Sequence, residues 1–318
     1  MTLPCVLAVD IGGTKTAIAL GSADRGHPVR RIRFATPPDA RRALASVLTR
    51  AVRLVAGRRV AAVGVSFGGH VVGEKVRSLH VAGWEDVHLV DALRDAFRAP
   101  VQVVNDAEAG AVAEYSTRVR VTPGLRHLVY ATVSTGIGGA VIADGEVARG
   151  AHGLTGELGH FPVAEQGTCS CGRVGHLEAL ASGTAIARRV REGLADERYR
   201  RSLLHGHGAA VDARAVADAA RDGDELACSV LADAGRLVGR ALAIMALCVD
   251  PEVICLGGGV SQAGDSFWLP LRHEVDAHLL CPVAVEPAIH GSDSALIGAM
   301  HLARSQAESA GRVAEETS

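Results

Sequence analysis

Two segments of this 318-residue chain share one pattern: an apolar run, a glycine-rich turn, and a second apolar run that follows at once. The first is AVDIGGTKTAIAL, beginning at Ala8, and the second is ATVSTGIGGAVIA, beginning at Ala131. A short apolar run ended by glycine reads as a buried strand entering a tight turn, and the immediate restart makes each segment a hairpin. A chain that opens each half in the same way reads as a duplicated α/β unit. Where no Cβ intervenes, backbone N–H groups can approach an anion closely. Each turn is therefore a candidate phosphate cradle. The first offers Asp10, Gly12, Gly13, Thr14 and Lys15; the second offers Thr135, Gly136, Gly138 and Gly139. Lys15 reads equally well as a cation for phosphates and as a solvated side chain. The chain has no GxxxxGK[ST] loop and no HRD/DFG set, so P-loop and protein-kinase chemistry are not indicated.

The remaining pattern supports an α/β chain. PVRRIRFAT, beginning at Pro28, reads as a third strand. VAAVGVS (60–66) is a buried strand ended by Phe67, Gly68 and Gly69, and VQVVND (101–106) is another, followed by a helical stretch. Helical periodicity marks 38–56, 210–249 in two or more pieces, and 292–305, whereas 146–182 is loop-rich in Gly, His and Cys. VICLGGG (253–259) is a strand entering a third glycine turn, Gly257 to Gly259. The segment 305–318 is polar and expected to fray.

Composition narrows the class. With 48% hydrophobic and 21% charged residues, the chain is globular and long enough for a sizeable core. A net charge of -2 without a basic patch does not favour nucleic acid. Arg30 and Arg31, and Arg198, Arg200 and Arg201, read as solvated surface. No apolar run of membrane-spanning length and no signal peptide is seen, so the cytoplasm is the expected location and no membrane partner is expected. Seven cysteines then read as thiols or metal ligands. Cys5, Cys228, Cys248 and Cys255 lie in apolar runs and are expected in the core; Cys169 and Cys171 do not.

Six motifs in order carry a resemblance over nearly the whole chain: DIGGTK (10–15), VVNDAEAGAVAEY (103–115), STGIGGAVIADGEVARGAHGLTGELGH (134–160), CSCGRVGHLEALASG (169–183), LGGGVSQAGD (256–265) and SDSALIGAMHLA (292–303). HVAGW (80–84) adds a tryptophan-containing segment. The chain resembles the ROK family of sugar kinases and sugar-responsive repressors, within the actin-like ATPase superfamily. The resemblance implies a two-domain, RNase H-like α/β fold with an interdomain cleft. Expected domains are 1–115 with 300–318, and 116–299 carrying a zinc loop and nucleotide-binding elements. The family's repressors place a helix-turn-helix module before the first motif. Only nine residues precede Asp10, which favours a kinase. A homodimer is implied.

The resemblance also assigns roles. Asp106 is the base toward the acceptor hydroxyl, and Asn105 hydrogen-bonds neighbouring hydroxyls; read alone, the pair would equally cap the following helix. Asp10 orients Mg²⁺ and its waters beside ATP, and Gly257, Gly258 and Gly259 let adenosine lie on backbone. Glu157, His160 and Glu178 bind the sugar, carboxylates being suited to paired hydroxyls. His160, Cys169, Cys171 and His176 match the ligands of a structural Zn²⁺, with His176 standing where the family has cysteine. A Cys₂His₂ tetrahedral site fits that set. Gly69-His70 departs from the family's Pro-Gly pair. His70 either faces the acceptor or lies in an exposed loop. The expected reaction is ATP-dependent phosphorylation of a hexose, glucose or an amino sugar, at the 6-hydroxyl. A C7-cyclitol kinase and a non-catalytic sugar sensor are the alternatives.

Overall fold

A computed structural model describes residues 4–22, 28–78 and 81–316, without side-chain detail at 209 and 311–316. His80 of the HVAGW segment and residues 317–318 of the tail lie outside the described residues. In chain order the strands and helices are β1 (Cys5–Ile11), β2 (Lys15–Ser22), β3 (Pro28–Ala35), α1 (Ala40–Val55), β4 (Val60–Phe67), β5 (His70–Val72), β6 (Lys75–Arg77), α2 (Leu89–Phe97), β7 (Val101–Asn105) and α3 (Asp106–Arg118). Then follow β8 (Leu128–Val133), β9 (Ile137–Ala143), β10 (Glu146–Ala148), α4 (Leu177–Ala181), α5 (Gly183–Gly193), α6 (Ala213–Arg221), α7 (Glu225–Val249), β11 (Val253–Gly257), α8 (Asp265–His278), β12 (Ala284–Pro287) and α9 (Ser294–Glu316).

The chain forms two compact units. One is Met1–Val121 with Gly150–Gly153 and Asp293–Ser318; the other is Thr122–Arg149 with Leu154–Ser292. The first holds a five-stranded sheet ordered β3-β2-β1-β4-β7, the second one ordered β10-β9-β8-β11-β12. Each begins as an antiparallel meander, β1-β2-β3 and β8-β9-β10. Each then adds two parallel strands on the far side of the first strand, β4 and β7 or β11 and β12. The two glycine turns thus occupy the same place in the two sheets, at the carboxyl end of the first strand. In open α/β sheets that end is where ligands bind.

In the first unit Leu7, Val9, Ile18 and Leu20 face α1 and α2 in one core, while Val6, Ala8, Ala17 and Ala19 face α9 in another. The strand period of two sends alternate residues to opposite layers. Asp39 caps α1, its Oδ1 accepting the Arg42 N–H at 3.0 Å, and Ala43, Val47, Ala51 and Leu54 make the buried stripe. Trp84 is fully buried, its ring edge-on to Phe67 with centroids 5.2 Å apart, which fixes the end of β4. In the second unit α7 is the central helix, and its Gly235 and Gly239 let the backbone of α8 approach closely.

Three sequence expectations change. Cys5 and Cys255 are buried and Cys228 is half-buried, but Cys248 is exposed. It lies on the solvent face of α7 with Arg240, Ile244 and Leu247, so apolar neighbours in sequence do not imply burial. The segment 305–316 continues α9 rather than fraying. Helices α2, α4, α5 and α8 are additional to those the periodicity marks; α4 falls in the segment read as loop-rich, and α8 carries Pro270 inside it.

Candidate functional site

In the first unit the register places Asp10 opposite Ala17 on β2 and Ser66 on β4, and Ala17 opposite Arg33 on β3. Ser66 is fully buried and its hydroxyl donates to Asp10 Oδ1 at 2.9 Å. Burial pushes the Asp10 carboxyl up to about 7 against the Ser66 hydrogen bond; the Asp106 and Asp293 charges push the same way as burial, and Arg33 opposes them. Asp293 is itself paired with Arg31 and Arg33. A carboxylate so placed favours a cation beside it.

The turn after Asp10 is closed by the Gly12 N–H on the Lys15 carbonyl at 2.9 Å. Thr36, at the end of β3, braces it: Oγ1 donates to the Gly12 carbonyl at 2.7 Å, and N–H to the Thr14 carbonyl at 3.0 Å. Sequence reasoning missed Thr36, for a threonine after a strand carries no motif. Gly12 and Gly13 are half-buried, whereas Thr14 and Lys15 are exposed.

Gly68 links this turn to Asp106. Its N–H donates to the Ile11 carbonyl at 2.8 Å, and a Cβ there would lie 3.3 Å from Gly12 Cα and 3.7 Å from Asp106 Oδ2. Asp106 opens α3, and its Oδ1 accepts the Ala107 N–H at 3.0 Å. Asn105 is the N-cap: Oδ1 accepts the Ala107 N–H at 2.8 Å, and Nδ2 donates to the Gly69 carbonyl at 2.8 Å. Asn105 therefore does cap the helix, as its residue type alone suggests, and it also ties down the loop carrying His70. His70 is half-buried at the start of β5.

In the second unit the turn is closed by the Ser134 N–H on the Gly136 carbonyl at 2.8 Å. The first turn of α5 supports it, with the Gly183 N–H on the Ser134 carbonyl at 2.7 Å and Thr184 Oγ1 on the Thr135 carbonyl at 2.9 Å. Gly138 and Gly139 lie on β9 opposite Thr132 and Ala131. Glu178, in the first turn of α4, accepts the Ile137 N–H at 3.0 Å. Gly257 ends β11, and Gly258 has φ +89° with its Cβ position blocked by the Val133 carbonyl, so only glycine fits. Gly259 is exposed.

His160, Cys169, Cys171 and His176 converge, their ligand atoms all within 4.8 Å of one another. The Nδ1 atoms of His160 and His176 are 3.1 Å apart, Cys171 Sγ is 3.3 Å from His176 Nδ1, and Cys169 Sγ is 3.8 Å from His160 Nδ1. A tetrahedral zinc with ordinary Zn–N and Zn–S bonds needs about 3.3 Å between nitrogens and about 3.6 Å between nitrogen and sulfur. The cluster fits that ion, and with all four as ligands the site would be closed and structural. His160 Nε2 is 3.8 Å from Glu157 Oε2, so ligation through Nδ1 would leave Nε2 on the Glu157 side. That gap is too long for a hydrogen bond and leaves both groups able to engage a third.

The duplicated sheet with a glycine turn at the end of each first strand is the actin-like ATPase fold. The family model described as ROK family matches residues 6–306. An N-acetylmannosamine kinase from Citrobacter koseri is 34% identical over 305 residues, covering 94% of this chain and 98% of that protein. A glucokinase from Halalkalibacterium halodurans is 35% identical over 237 residues, covering 71% and 70%. Among solved structures, a ROK family glucokinase from Streptomyces griseus in complex with glucose and AMPPNP superposes with a TM-score of 0.82, at 30% identity over 95% of this chain and 99% of that one. The chain belongs to the ROK family.

Proposed function

We propose that this protein is an ATP-dependent sugar kinase that transfers the γ-phosphoryl group of ATP to a hexose, glucose or an amino sugar, at the 6-hydroxyl. The observation that carries the reading is Asp106 at the first turn of α3, beside a glycine turn that follows the half-buried Asp10. Relatives named glucokinase and N-acetylmannosamine kinase support the acceptor class.

The acceptor oxygen attacks the γ-phosphorus, its proton passes to Asp106, and ADP departs. A carboxylate is a weak base for an alcohol, so aiming the hydroxyl matters as much as taking its proton. Mg²⁺, when bound with ATP, supplies charge neutralisation on the phosphates. Asp10 is the carboxylate for that cation, and Ser66 holds its orientation. The N–H groups of the Gly12 and Gly136 turns receive phosphate oxygens, and the nucleoside lies against the backbone of Gly257 to Gly259, where Gly259 is exposed. Glu157 and the free nitrogen of His160 accept and donate to sugar hydroxyls, with Glu178 nearby. Zn²⁺ would be held by His160, Cys169, Cys171 and His176, supplying a rigid loop rather than an activated water.

His70 is the selectivity residue in this reading, because Gly69 beside it is tied to Asn105. Phosphate transfer to a panel of glucose, N-acetylmannosamine, N-acetylglucosamine and 6-deoxyglucose tests the assignment. Transfer to the hexoses but not to 6-deoxyglucose is expected. Sugar binding without transfer would instead make the chain a sugar sensor.

A further inference from the structure

We propose that Glu178 is a positioning residue for the second glycine turn, coupling the His/Cys cluster to nucleotide binding. Naming phosphate as the turn's ligand rests on the proposed kinase function; the coupling itself rests on geometry within the second unit.

Each oxygen of the Glu178 carboxylate holds a different element. Oε2 accepts the Ile137 N–H at 3.0 Å, at the exit of the turn. Oε1 accepts the Ser170 hydroxyl at 2.9 Å, and Ser170 lies between the two cysteines of the cluster. Cys169 Sγ is itself 3.8 Å from Oε1. Gly136 has no side chain because Glu178 fills that space: a Cβ there would lie 2.5 Å from Oε2 and 3.3 Å from Cδ. His176, a cluster residue, is the N-cap of α4, two residues before Glu178, so ligand and lever are joined directly.

The consequence is mechanical. The turn is supported on one side by the start of α5 and on the other by Glu178. With the cluster closed on a metal ion, Ser170 is pinned between Cys169 and Cys171, and both carboxylate oxygens keep their partners. Without it, the 169–176 loop loses its cross-link, Oε1 loses its anchor, and Glu178 is released from Ile137. The N–H groups of the turn then lose the arrangement that would receive an anion. A hydrogen bond to a charged acceptor is among the stronger ones, and preorganised donors bind an anion better than donors that must first be ordered. Both oxygens retain lone pairs, so contact with a sugar hydroxyl is compatible with this role.

The test is affinity for Mg²⁺·AMPPNP without sugar, by calorimetry, together with hydrogen exchange across 134–140. Wild type, Glu178→Gln, Ser170→Ala and chelator-stripped wild type are compared, each first verified as folded by melting. Glu178→Gln and the stripped protein are expected to bind AMPPNP about tenfold or more weakly, about 1.4 kcal/mol, and to exchange the Ile137 amide faster. Ser170→Ala should move both readouts in the same direction by less. Unchanged AMPPNP affinity and amide protection, with only the sugar KM raised, would overturn the proposal and leave Glu178 a sugar ligand alone. If folded wild type binds no AMPPNP, the kinase reading falls, and the exchange arm still decides whether Glu178 holds the turn.

Discussion

Ser66 Oγ donates to Asp10 Oδ1 at 2.9 Å, across a register pair that joins β4 to β1. The serine is fully buried, so Asp10 is the partner its hydroxyl requires, and the carboxylate is aimed by the sheet rather than by a loop. Strand ends are rigid platforms, which suits a group whose charge must meet a cation at a fixed place.

That placement makes Asp10 a liability in the free protein. Its carboxyl is raised from 3.8 to about 7, chiefly by burial. A raised carboxyl binds its proton more tightly when folded, so its contribution is full below pH 3.8 and is lost as pH rises toward 7. Asp10→Asn is therefore expected to raise the melting temperature of ligand-free protein at pH 8 by about 2 °C or more, with a smaller rise at pH 5, where only part of the contribution has been lost. The same variant should lose phosphate transfer. Thermal melts at the two pH values check the stability half; equal melting temperatures at pH 8 would contradict it.

Asn105 joins a helix cap to the Gly69 loop. Asn105→Ala removes both bonds and is expected to cost about 1–2 kcal/mol in urea unfolding. Asn105→Asp keeps the acceptor for Ala107 but loses the donor to Gly69. It should recover the cap while leaving the loop loose, seen as lost acceptor selectivity at near-normal stability.

The His/Cys cluster should bind one zinc per chain, measured by elemental analysis of the purified protein. His176→Cys supplies a thiolate at the same position and is expected to retain the metal. His176→Ala is expected to lose it and to melt lower.

Gly258 has φ +89° against the Val133 carbonyl. Gly258→Ala meets both a disfavoured backbone conformation and a clash, so a loss of at least about 1 kcal/mol is expected in denaturant unfolding. A variant as stable as wild type would mean that β11 and β8 can part there without cost.

Much of the site is legible in the sequence because its residues are chemically unusual where they stand. An aspartate that ends an apolar run before two glycines serves a ligand better than it serves packing, and so do cysteines in a glycine-rich loop. The repeated hairpin likewise announces the duplicated sheet. What stays hidden depends on contacts distant in sequence. Thr36 braces a turn twenty-odd residues before it, and Ser66 is an ordinary serine until β4 is laid beside β1. The motif around Glu178 marks a sugar ligand, yet its contact with Ile137 spans forty-one residues and follows only from the packing of α4 on the turn. Cys248 shows the converse, for a helical stripe decides exposure and a run of apolar neighbours does not.

The most direct measurement is single-turnover transfer from γ-labelled ATP to glucose and N-acetylmannosamine, comparing wild type with Asp106→Asn, alongside sugar affinity for each. Wild type should phosphorylate at least one of the two. Asp106→Asn should transfer about 10²–10⁴-fold more slowly while binding the sugar within severalfold of wild type. Transfer by Asp106→Asn at the wild-type rate, or wild type that binds sugar and never transfers phosphate to it, would contradict Asp106 as the base of a sugar kinase.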